Sequence, residues 1–217
     1  MWQVGRASIY DRVLTFLETV YAQRGAYERG NATAESPLDV LILNYTKVVN
    51  DCCAIRVLVQ RGFYIQAAII SRSTIDSCNL MMHIAFEGEK ASLVQQWLND
   101  QNLKHWNLMK TLNRGLDQGL DLDLYEARRK ELDDFVHANF SALQLYPAQS
   151  PGPTPLDEGA LHRITSWMAI IDLFLVSCLL TVPLIVPDLE VKANRYLQQI
   201  MRNPSRPKSV VDLETDV

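Results

Sequence analysis

Apolar residues recur along this chain at helical spacing, and almost nowhere do they alternate as a strand requires. Ile9, Val13, Leu14, Leu17, Val20 and Tyr21 form a stripe that predicts a first helix from about Ala7 to Tyr27. Ser36 followed by Pro37 opens a second, because proline loses nothing at a position whose amide lacks an intrahelical partner. Its stripe of Leu41, Tyr45, Val48, Cys52, Ile55 and Val59 faces a core and ends near Gly62, while Lys47, Asp51 and Arg61 can reach water. A third helix, Phe63 to Phe86, follows almost without a linker, so these two form an antiparallel hairpin. It is apolar on more than one side: Tyr64, Ala68, Ile75 and Met82 line one face, and Ile65, Ile69 and Ile70 extend beyond it. Such a pattern marks a central, enclosed helix.

Weaker stripes predict a fourth helix over Lys90 to Arg114 and a fifth over Leu124 to about Leu143. The fifth has Tyr125, Leu132, Val136, Phe140 and Leu143 on its apolar face and Lys130, Asp133, Asp134 and His137 toward the other. The proline- and glycine-rich YPAQSPGPTPLDEG is an inter-helix loop. A sixth helix runs from about Leu156 to Val182, interrupted at Pro183, and a short last one covers Leu189 to Met201. The expected architecture is all-α: a bundle of about six to seven helices with long antiparallel hairpins, one domain over residues 1–203 and a flexible tail over 204–217. The closing ETDV matches a carboxyl-terminal strand-addition pattern, which is short enough to arise by chance.

Composition narrows the classes. With 217 residues and 48% hydrophobic content the chain can bury a sizeable core, and a net charge of −4 lacks the global basic footprint of non-specific nucleic-acid binding. No sequence-specific DNA binding is expected, whereas a local groove for RNA stays open. The opening MWQVGRASIYDR has no apolar signal core, so a cytoplasmic protein is expected. ITSWMAIIDLFLVSCLLTVPLIV invites a membrane reading, but only fifteen residues separate Asp172 from Asp188, fewer than the roughly 20 a span needs. A buried bundle helix or a dimer interface fits it better. Cys52, Cys53, Cys78 and Cys178 show no C-x-x-C spacing and read as buried thiols of a reducing compartment; no metal and no cofactor is expected.

Polar residues inside the third helix carry the candidate chemistry. In RSTIDSCNLMMH, the residues Arg72, Asp76, Asn79 and His83 recur at steps of four, three and four, which stacks them on one face as a polar seam. Arg72 and Asp76 can pair. The seam is either a structural network that fixes helix register or a ligand-binding or catalytic site. His137, in LDDFVHANF, follows Asp133 by four, a spacing that lets the carboxylate orient the ring for acid/base work. His105 and His162 have only helix-surface contexts.

RSTIDSCNLMMHI resembles the arginine-serine plus acidic-residue helix of a group of uncharacterised prokaryotic all-helical domains, and ELDDFVHANFSAL resembles their later valine-histidine helix. Those domains are similar to the HEPN-like bundles of toxin-antitoxin and antiviral defence systems. The resemblance spans roughly residues 37 to 145 and implies a helical bundle, a homodimer or a subunit of a protein complex, encoded beside nucleic-acid-directed partners. Active HEPN members carry an arginine and a histidine with four to six residues between them, the first often polar, for charge stabilisation and proton transfer on an RNA phosphodiester. Here seven residues separate Arg129 from His137 and ten separate Arg72 from His83. The resemblance therefore implies a degenerate, non-catalytic member acting by assembly. The alternatives are a metal-independent ribonuclease using Arg72, His83 and His137, and a small-molecule sensor with a pocket beside the seam.

Overall fold

The computed structural model describes residues 4–25, 36–87, 92–99 and 170–201, together with Arg129, Lys130, Leu132, Asp133, Val136 and His137. Among the described residues there are six α-helices and no strand: α1 (Val4–Gly25), α2 (Pro37–Gln60), α3 (Tyr64–Glu87), α4 (Ser92–Leu98), α5 (Ile170–Ile185) and α6 (Glu190–Met201), with a 3-10 turn over Pro187–Leu189 before α6. The protein is an all-α bundle. The remainder of the predicted fourth and fifth helices, the proline-rich loop, His105, His162 and the tail lie outside the described residues.

Local chemistry sets the ends of α2. At its start Asp39 N–H donates to Ser36 Oγ at 3.2 Å and Ser36 N–H donates back to Asp39 Oδ2 at 3.1 Å, a capping box that satisfies two amides with no helical partner, with Pro37 in the first turn. At its end Phe63 N–H reaches Leu58 C=O at 2.8 Å and Gly62 N–H reaches Val59 C=O at 3.1 Å. This six-to-one and five-to-two closure needs a left-handed residue, and Gly62 supplies it with φ 80°. The reversal is tight enough to lay α3 back along α2.

The six-residue stripe expected of α2 is buried throughout, with Tyr45 O–H donating to Leu17 C=O of α1 at 3.0 Å. α3 lies between α2 and α5 and is enclosed along most of its length, from Ile65 to Ile84. Its small residues Ala67, Ala68, Ser71 and Ser77 are buried, so the neighbouring helices can approach closely. Of the two readings of the apolar run, a buried bundle helix or a dimer interface, the packing matches the first: Phe174, Leu175, Cys178, Leu179 and Val182 of α5 are buried against the rest of the bundle. Among the described residues no helix is long and apolar enough to cross a membrane.

Three local expectations need correction. Pro183 does not interrupt its helix; α5 continues to Ile185, and Val186 N–H still reaches Val182 C=O at 2.8 Å. A proline so near the end removes a single backbone bond, and the break falls at Val186–Pro187. Tyr21, assigned to the core stripe of α1, is 49% exposed, its phenol tolerating water at the last turn. Val136, assigned to the apolar face of the fifth helix, is 45% exposed, whereas Leu132, four positions earlier, is buried.

Candidate functional site

α3 projects Arg72 to a half-buried position where it meets Asp133. Arg72 Nε donates to Asp133 Oδ1, and Arg72 Nη1 donates to Asp76 Oδ2 at 2.7 Å. Arg129 Nη1 donates to the other oxygen of Asp133 at 2.9 Å. One carboxylate is thus held between two guanidinium groups whose side chains are each 16% exposed, while Asp133 itself is 26% exposed. Burial alone pulls the Arg72 pKa down, but the hydrogen bonds and charges of Asp133 and Asp76 outweigh it and raise the net value. The guanidinium is therefore a fixed cation with its charge already matched. Asp76 is 52% exposed and adds little beyond orientation.

A second polar contact joins α2 to α3 nearby. Thr74 Oγ1 lies 2.8 Å from both Asp51 Oδ2 and Ile70 C=O. Lys47 Nζ donates to the same Asp51 oxygen and, at 3.3 Å, to Ser73 Oγ. Sequence spacing offers Lys47–Asp51 as an i, i+4 pair but gives no hint that Thr74 of the next helix bonds to it.

The other seam residues part company with Arg72 and Asp76. Asn79 and His83 share their azimuth but sit further along α3, where neighbouring helices cover them, and both are buried. Desolvation lowers the His83 pKa from 6.5, and the nearby Glu87 charge only partly opposes it. His83 is consequently neutral at pH 7. Eleven positions separate it from Arg72, about 16 Å along the axis, so the two do not meet at a single scissile bond.

His137 is exposed, and its backbone N–H donates to Asp133 C=O at 2.9 Å. The Asp133 carboxylate expected to orient its imidazole is engaged by Arg72 and Arg129 instead. Spacing alone made the local Asp133–His137 pair look natural; the long-range bond to Arg72 spans 61 positions, and no periodicity encodes it. Among the described residues no three His, Cys, Asp or Glu side chains are arranged to hold a metal ion.

The fold and this site define a class: an all-helical bundle whose central helix is tied to a peripheral segment by an arginine–carboxylate clamp. No family model, no curated protein and no solved structure matches the chain.

Proposed function

We propose that this protein is a non-catalytic, HEPN-like helical subunit that acts by assembling, with itself or within a larger complex of the defence or toxin-antitoxin kind. The observation that carries the reading is the engagement of Arg72. A guanidinium that stabilises charge developing on a phosphodiester must be open to its substrate, whereas Arg72 is hydrogen-bonded to two carboxylates and largely covered. Of the two histidines in the ribonuclease alternative, His83 is buried and held neutral and His137 is exposed without its expected carboxylate. The family resemblance of RSTIDSCNLMMHI and ELDDFVHANFSAL supplies the assembly context.

Size-exclusion chromatography with light scattering tests it. Assembly predicts a mass above 24.7 kDa for the protein alone or with the product of an adjacent gene. A strict monomer that engages neither sinks the reading. The ribonuclease alternative has one favourable feature, an exposed His137 one helical turn from the Arg72–Asp133 pair. It predicts that induced wild-type protein degrades cellular RNA and that His137→Ala abolishes this; the assembly reading predicts intact RNA in both cultures.

A further inference from the structure

We infer that the solvent face of α2 is a self-complementary docking surface on which a second copy of this chain packs antiparallel, its two-fold axis at Asn50. The inference rests on the assembly reading and specifies the surface and the partner.

Opposite the buried Tyr45–Cys52 stripe, α2 presents Leu43 at 45% exposure, Asn50, and Val57 at 54% exposure. Seven-residue steps put all three along one line of the helix, as an interhelical seam requires. Exposed leucine or valine is unremarkable singly; two on one line flanking a central asparagine form a pattern.

That pattern is symmetric about Asn50. An antiparallel copy centred there sets Leu43 against the partner copy's Val57, Thr46 against Ala54, and Arg61 against Asp39. Apolar meets apolar, small meets small, and a cation meets a carboxylate. Every pair occurs twice, as a two-fold interface demands. Asn50, alone on the axis, can bond its amide to its own equivalent, the kind of polar seam contact that fixes register. A parallel pairing would oppose Arg61 to Arg61 and Lys47 to Lys47, and like charges disfavour it. A contact of about 1,000 Å² in total would lie at the lower edge of specific interfaces.

Sedimentation equilibrium on the intact protein, from low micromolar to sub-millimolar concentration, reads the association. The wild type is expected to show a monomer–dimer equilibrium, and Leu43→Glu/Val57→Glu, with an unchanged melting curve, to weaken it at least about tenfold. Orientation is read in a Cys53→Ser background: Leu43→Cys mixed with Val57→Cys is expected to form a disulfide-linked dimer on mild oxidation, and neither variant alone. Cross-linking of Leu43→Cys to itself overturns the antiparallel arrangement. A dimer that survives the double glutamate substitution overturns the α2 surface and leaves assembly standing, whereas a monomer at every concentration overturns both.

Discussion

Arg72, a seam residue by its spacing, is bound in space by two carboxylates, one of them distant in sequence. Its Nε and Nη1 are both engaged by carboxylates; removing Asp133 leaves this largely covered guanidinium only the more exposed Asp76, and removing Arg72 leaves Asp133 only Arg129. His83 illustrates the opposite case, a titratable group kept neutral by burial. Its folded pKa lies below 6.5, so the unfolded chain binds the proton more readily. The stability this provides is complete above about pH 6.5 and is lost as pH falls below it toward the folded value. Melting temperatures of wild type and His83→Gln between pH 7.5 and about pH 5 check the sign: the wild type is expected to lose more stability over that interval than the variant. Parallel curves would mean that His83 is solvated in the native state.

The α2–α3 hairpin owes its geometry to two short motifs. Ser36→Ala removes the capping oxygen and is expected to cost about 1 kcal/mol. Gly62→Ala forces a β-carbon into a left-handed residue at a cost of about 1 kcal/mol. Urea titrations of both variants check these values, and a Gly62→Ala protein as stable as wild type would contradict the tight closure. Both motifs were legible in the sequence, Ser36–Pro37 as a start signal and Gly62 as a stop, and so was the full buried face of α2. Burial of most of α3 was legible too, from its apolar residues on more than one side, but the helix keeps a solvent edge at Gln66, Ile69, Ser73 and Asp76, and Ile69, expected among its apolar positions, is 36% exposed. Pairing between distant segments was not legible. Asp133 serves Arg72 and Thr74 bonds Asp51 because helices far apart in sequence, or turned back on one another, meet at those levels, and helical periodicity gives azimuth without giving the neighbour. Burial of Asn79 and His83 follows from the enclosure of α3, whereas the exposure of Asp76 on the same line of the helix depends on neighbours that helical periodicity does not give.

At the scale of the whole molecule, α2, α3 and α5 close on one another around Cys52, Cys78 and Cys178, all three buried. Desolvation foremost, and then the proximity of the other thiols to Cys52 and Cys178, pushes these groups up and keeps them protonated. Cys53 is half-buried, and burial followed by its bond to Glu18 pushes it up to about 11. Native protein near neutral pH is therefore expected to show one slowly reacting thiol of the four in the chain, and all four after denaturation. Rapid labelling of two or more without denaturant would mean that the three-helix contact opens. The claim on which the rest depends, that Arg72 ties the central helix to Asp133 and through it to Arg129 as a structural clamp, is tested most directly by double-mutant cycles in denaturant unfolding. The Arg72→Ala/Asp133→Ala cycle is expected to give a coupling of about 1–2 kcal/mol, and the Arg72→Ala/Asp76→Ala cycle less than about 0.5 kcal/mol, in keeping with the exposure of Asp76. Additive effects of Arg72→Ala and Asp133→Ala would contradict the account.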